Sequence, residues 1–178
     1  MTQALYQKAI AFAGDKHKDQ LVPGSQANYL LHVSNVAMEI LMAYAHAQDF
    51  DVNLAVQMAL LHDVIEDTDA SFEELETHFE KRVANGVLAL TKNTELGDKS
   101  AQMADSLNRI NKLEKEVGMV KLADRITNLQ APPHYWSKEK IKRYHEEARI
   151  IADQLEGKNV YLNDRLRRQI ESYTQYFT

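Results

Sequence analysis

The chain has 178 residues, 44% of them hydrophobic and 26% charged, the make-up of one ordinary globular domain with a real core. Its 26 acidic and 21 basic residues give a net charge of −5, which argues against broad binding to nucleic acid or to an anionic membrane. There is no cysteine, so disulfides, thiolate catalysis and sulfur-ligated metals are excluded, and any metal must be held by nitrogen and oxygen.

The opening MTQALYQKAIAFAGDKH lacks the apolar run of a signal peptide. No stretch approaches the ~20 apolar residues of a membrane span, so a cytoplasmic location is expected. Segment 3–17 reads as a helix with Leu5, Ala9, Phe12 and Ala13 on one face. DQLVPGSQAN (19–28) is a loop punctuated by Pro23-Gly24. Segment 29–46 is helical, with Val33, Val36, Ile40, Leu41 and Tyr44 at i, i+3, i+4 spacing, and Met38, Met42 and Met58 read as core residues. Segment 52–64 is apolar almost all round, as a central helix should be. Ser71 and Glu74 form a capping box that starts a short helix, and 81–91 carries Val83, Val87 and Leu90 on one stripe. KNTELGDKS (92–100) is a polar connection between that helix and the next, 101–116. Segment 119–130 is another helix, stopped by Pro132-Pro133. Ser137 caps a helix over 138–156 that Gly157 ends, and 160–177 forms the last one. No alternating run indicates a sheet, so the expectation is an all-α single domain over 1–178, a bundle of roughly eight helices.

The chemistry concentrates in LLHDVIEDTDA (60–70), where an apolar segment ends in His62, Asp63, Glu66 and Asp67. A buried carboxylate is costly unless paired, so this is a solvated helix end or a site. Acids at a helix C-terminus oppose the dipole, which weakens the plainer reading. If 58–67 is one helix, positions 62 and 63 are about 100° apart around its axis and can still converge on a metal between the two directions, and Glu66 and Asp67 lie one turn beyond them. A divalent metal needs four to six ligands, so others must come from elsewhere. His32 and Asp124 are isolated polar residues in apolar helices. With His62 and Asp63 they would supply two imidazoles and two carboxylates, a set suited to Mn²⁺ and also to Fe²⁺, Co²⁺ or Zn²⁺. Such an ion lowers the pKa of a bound water, and Glu66 and Asp67 would orient that water and handle its proton. The reading is metal-assisted hydrolysis of a phosphate ester or anhydride. His46 lies ~21 Å of helical rise from His32 and cannot share its metal, which favours one ion over two.

With YLLH (29–32) before it and VKLADRITNL (120–129) after it, this segment resembles the hydrolase domain of Rel/SpoT-type proteins, and more closely the stand-alone small alarmone hydrolases of the HD superfamily. The likeness runs from AFAGDKH (11–17) to YHEEARIIADQLEGKN (144–159), and the spaced HDxxED and KLADRxxNL motifs carry it. It implies an HD-type helical bundle that removes the 3′-pyrophosphate of guanosine tetra- and pentaphosphate with manganese, a reaction of the stringent response. It also implies metal ligands His32, His62, Asp63 and Asp124, a water-activating pair Glu66 and Asp67, and substrate contacts from Asn128 and Tyr144. Lys121 and Arg125 flank Asp124 and could serve phosphates. One departure stands out: the family carries a basic Arg-Lys pair before the first metal histidine, where this chain has Leu21-Val22. That leaves an adenosine alarmone, another 3′-phosphorylated nucleotide such as NADPH, or a broader polyphosphate substrate open beside guanosine substrates.

Taken singly, each residue has a plainer reading. His32 would be a core histidine, Asp124 a salt-bridge partner of Arg125 or Lys121, Asn128 a surface amide and Tyr144 a packing residue. The histidines His17, His46, His78, His134 and His145 read as surface or packing residues, and 165–168 as a solvated basic face. Two other functions fit part of the pattern: another HD phosphohydrolase (nucleotidase, phosphodiesterase or NADPH phosphatase), or a non-catalytic nucleotide sensor.

Overall fold

Leu54 to Leu61 are all buried, which makes the helix that carries them the axis of the molecule. The computed structural model describes residues 2–178. Among these it contains ten α-helices: α1 (Thr2–Lys16), α2 (Leu30–His46), α3 (Val52–Leu61), α4 (Val64–Asp67), α5 (Phe72–His78), α6 (Lys81–Leu90), α7 (Lys99–Asn111), α8 (Lys115–Asn128), α9 (Lys138–Gln154) and α10 (Val160–Tyr173). A 3₁₀ turn at Thr174–Tyr176 closes the chain, and the one β-type feature is an isolated bridge between Leu21 and Asn28. The axial α3 packs against α1, α2, α6 and α8, and α8 in turn meets α2 and α10. No helix is long and apolar enough to cross a membrane.

The all-α expectation holds, and the boundaries differ where tertiary contacts override local signals. The helix expected to run through 58–67 is interrupted: His62 and Asp63 form a turn, Asp63 adopts φ −103°, ψ 0°, and α4 resumes at Val64. The break expected at Val117-Gly118 falls instead at 112–114. Gly118 lies inside α8, with the Lys158 side chain so close that a Cβ there would come within 2.8 Å of Lys158 Cγ. The last expected helix ends four residues early, at Tyr173.

Two assignments to core or solvent are corrected. Met38 and Met42 are 44% and 48% exposed, because α2 buries the face carrying Val33, Val36, Ala37, Ile40 and Ala43 and turns the methionines outward. Arg165 is not simply solvated. Its guanidinium grips the buried Glu39 carboxylate through two bonds of 2.6 and 2.7 Å and ties α10 to α2.

Candidate metal and catalytic site

The side chains of His62 and Asp63 converge, as expected, but from a turn between α3 and α4 rather than from one continuous helix. His62 Nδ1 donates to Ala59 O at 2.9 Å, using one of the last α3 carbonyls, which a helix leaves without an N–H partner of its own. That bond aims Nε2 toward Asp63 Oδ2, 3.0 Å away. His32, in the first turn of α2, brings its Nε2 to 3.3 Å from that of His62. Asp124, buried within α8, places Oδ1 3.4 Å from His32 Nε2 and 3.7 Å from His62 Nε2. Asp63 Oδ2 is 3.7 Å from His32 Nε2 and accepts a 2.6 Å bond from the Tyr29 hydroxyl. The four side chains thus come from the α2 start, the α3–α4 turn and α8.

Three of these donors fit one divalent cation: His32, His62 and Asp124 each offer one ligand atom within 4.8 Å of the others. Donors sharing an ion at about 2.1 Å stand roughly 3.0–3.4 Å apart, close to the 3.3–3.7 Å distances within this triad. Asp63 stands beside the two imidazoles, outside that triad. The electrostatics agree. Burial works against a charge on Asp63, yet the facing His62 holds it below its ordinary value. Burial opposes ionisation of Asp124 too, and Lys121 with the two imidazoles holds it well below the carboxylate range. For His62, burial disfavours the cation, and the two carboxylates outweigh it and keep the ring protonated well above its ordinary value. The site therefore demands positive charge, which a proton on His62 supplies when no metal does.

Outer partners fix these groups. Lys121 Nζ lies 3.0 Å from Asp124 Oδ2, and the Asn128 amide donates to Asp124 Oδ1. Both residues, expected to meet substrate, here bond to Asp124 while lining the same cavity. Glu66 accepts from Lys92 twice, from the backbone N–H at 3.1 Å and from Nζ. Asp67 accepts from Gln20 Nε2 at 2.9 Å, and burial pushes its carboxyl above the usual value against that bond. Arg125 is 7% exposed. Its guanidinium stacks 4.1 Å from the Tyr144 ring centre and faces Glu147 at 3.6 Å, so its charge supports the cavity wall.

The cavity holds about 410 Å³, enough for much of a nucleotide. Its lining includes Tyr29, Asp63, Glu66, Asp67 and Lys92, and also Trp136, Lys140, Arg143 and Lys99. Trp136 meets Tyr144 edge-on at 5.2 Å, and Lys140 Nζ sits 4.0 Å over the Trp136 ring. Sequence reasoning did not single out Tyr29, Lys92, Lys99, Trp136, Lys140 or Arg143 as site residues. The i, i+3, i+7 spacing of Lys140, Arg143 and Glu147 was an available signal for one helix face, whereas Lys92 reaches Glu66 only through the tertiary fold. Leu21 is 47% exposed, and neither it nor Val22 lines the cavity.

A family model described as HD domain matches residues 9–155. A curated protein of Danio rerio named "Guanosine-3′,5′-bis(diphosphate) 3′-pyrophosphohydrolase MESH1" is 31% identical over 170 residues, 93% of this chain and 92% of its own length. The protein of the same name from Homo sapiens is 32% identical, over 90% and 89% of the two chains. Among solved structures, one described as "A metazoan ortholog of SpoT hydrolyzes ppGpp and plays a role in starvation responses" superposes with a TM-score of 0.82 at 29% identity, covering 98% of this chain and 97% of that one.

Proposed function

The chain belongs to the HD domain family, and on that premise we propose that it hydrolyses the 3′-pyrophosphate of a guanosine or adenosine alarmone, (p)ppGpp or (p)ppApp. The observation that carries this reading is one cavity whose lining joins the candidate ligand cluster and two further acids to several cations. Among those cations Lys99 and Arg143 make no ion pair among the described residues, and Lys140 rests on an indole. A nucleotide polyanion, with a base and ribose between its charged groups, suits that mixed lining.

His32, His62, Asp63 and Asp124 would hold the ion, for which Mn²⁺ is our choice and Fe²⁺, Co²⁺ or Zn²⁺ the alternatives for this N/O set. When bound, it supplies a water of lowered pKa and neutralises phosphate charge. Glu66 and Asp67 align the attacking water and accept its proton. Burial raises the Asp67 carboxyl above its ordinary value, which suits it to take up that proton. Glu66, with both oxygens held by Lys92, is the better fixed of the two in orientation. Asn128 and Lys121 reach the scissile phosphate side from their places on Asp124. Arg125 lends charge through Tyr144, whose ring offers a face to the nucleoside. We further take 1–178 to act as one hydrolase domain, cytoplasmic, with a small nucleotide and no nucleic acid as its partner.

The test is product analysis by anion-exchange chromatography after incubation of the Mn²⁺-loaded protein with ppGpp, ppApp, NADPH and a cyclic nucleotide, beside Asp63→Ala. Pyrophosphate release from ppGpp or ppApp, absent in Asp63→Ala, is expected. Turnover of the cyclic nucleotide or NADPH alone would replace the reading by another phosphohydrolase, and tight alarmone binding without turnover by a sensor.

A further inference from the structure

His17 ends the first helix as a wholly buried imidazole with an odd bonding pattern. Its Nδ1 lies 2.6 Å from Gln20 Oε1, while its Nε2 is buried with no hydrogen-bond partner. Gln20 Nε2 in turn lies 2.9 Å from Asp67 Oδ2. The roles in this chain follow from valence. An ionised carboxylate only accepts, so the amide NH₂ must face Asp67 and the amide oxygen must face His17. His17 Nδ1 must then carry the proton, which leaves Nε2 as the orphaned lone pair. A ring half unsatisfied in the interior is costly, and an apolar ring would fill the same space without that cost. What the imidazole adds is the single N–H that fixes the Gln20 amide. Burial, pushing His17 below its ordinary value, keeps the ring neutral and suited to that bond.

The backbone of Gln20 is held as firmly as its side chain. Its N–H donates to His17 O at 3.0 Å, and its carbonyl accepts from Tyr29 N–H at 2.9 Å. Asn28 stiffens the loop by donating its amide to the carbonyls of His17 and Lys18. The Tyr29 ring packs 5.0 Å from His17 and sends its hydroxyl to Asp63. One short segment thus reaches one of the ligating acids and one of the water-activating acids.

We infer that Gln20, locked by His17, is a positioning residue that sets the orientation of the Asp67 carboxylate toward the attacking water. This rests on the role proposed above for Asp67, and the test separates the two.

The discriminating change is Gln20→Glu. It keeps the volume and the acceptor toward His17, but turns the donor facing Asp67 into a second acceptor. With ppGpp and Mn²⁺, kcat falls by about tenfold or more, the scale of loss expected when a catalytic group is displaced by a fraction of an ångström to one ångström. KM, Mn²⁺ affinity by calorimetry and the melting temperature stay close to the parent's. Gln20→Lys, which restores an N–H donor, recovers part of kcat, and Gln20→Met falls between the two. Parental kcat in Gln20→Glu, beside an inactive Asp67→Asn, overturns the inference alone. A kcat loss that tracks Mn²⁺ affinity or melting temperature across the three variants also overturns it. Full activity in Asp67→Asn overturns both the inference and the role on which it rests.

Discussion

At Asp124 a single carboxylate answers to four neighbours. One oxygen takes the Lys121 ammonium, and the other takes the Asn128 amide while facing two imidazoles. Asp67 is in a different state, pushed up by burial with Gln20 as its hydrogen-bond donor. Two kinds of loss are therefore expected. Glu66→Gln and Asp67→Asn lower kcat by roughly 10²–10⁴ with Mn²⁺ affinity near the parent's, whereas Asp63→Ala loses affinity and turnover together. Calorimetry beside kinetics separates the classes. The same groups set the pH dependence of the metal-free fold. Asp63 and Asp124 have depressed folded pKa values, so their contribution is present above the ordinary carboxylate value of 3.8 and is lost as pH falls through the depressed values. His62 has a raised folded pKa, so its contribution is present below 6.5 and is lost as pH rises through the raised value. Melting temperature without metal should be highest between those limits. With Mn²⁺ bound, the alkaline decline should vanish, because a ligated imidazole carries no proton. A metal-free melting curve that keeps rising above pH 6.5 would contradict this account of His62.

At the scale of elements, α3 is the part least free to move. Gly86 of α6 faces Met58 so closely that a Cβ there would stand 2.1 Å from Met58 Sδ and 3.4 Å from Val117 Cγ2. Met58 is fully buried and precedes His62 by one turn. Gly86→Ala should gain helix propensity, on the order of 1 kcal/mol, and lose about 1–3 kcal/mol to overpacking. A lower melting temperature is expected, with Mn²⁺ affinity reduced as α3 shifts; denaturation and calorimetry on one preparation check both. The α2–α10 link offers a contrast. Arg165→Ala leaves Glu39, 4% exposed in its side chain, buried without its guanidinium, and should cost on the order of 1–3 kcal/mol. Its kcat should be unchanged, since neither residue lines the cavity. Equal melting temperatures for Arg165→Ala and the parent would show that solvent already satisfies Glu39.

Over the whole molecule, an acidic chain gathers cations in the lining of the cavity that also holds the candidate ligands. The charge of −5 is a sum, and Lys99, Lys140 and Arg143 are local. The double variant Lys140→Ala/Arg143→Ala should raise KM about tenfold or more with kcat near the parent's, and should flatten the dependence of KM on salt, because partly exposed charges are screened over about 10 Å at 0.1 M. An unchanged KM for ppGpp would place the distal phosphates elsewhere.

The all-α class was legible because helical periodicity and caps such as Ser71 and Ser137 are local, and both caps form. The candidate metal cluster was legible for a related reason. Ionisable groups in apolar helices must be partnered, so His32 and Asp124 declared themselves before their partners were known. The break at His62-Asp63 was not legible, since no glycine or proline marks it; it is seen in how the adjacent side chains converge. The methionines of α2 misled because an apolar residue says nothing about which helix face finds a neighbour. Gln20, Lys92, Lys140 and Arg143 are ordinary polar letters in a surface loop, a connection and a helix. By itself the sequence determined the helical class and the family, and it singled out the candidate donor set. Tertiary structure decided what holds Glu66 and Asp67 from behind, because Lys92 lies 26 positions from Glu66 and Gln20 lies 47 from Asp67; the bonds of Lys121 and Asn128 to Asp124, three and four positions away, lay within reach of helical spacing.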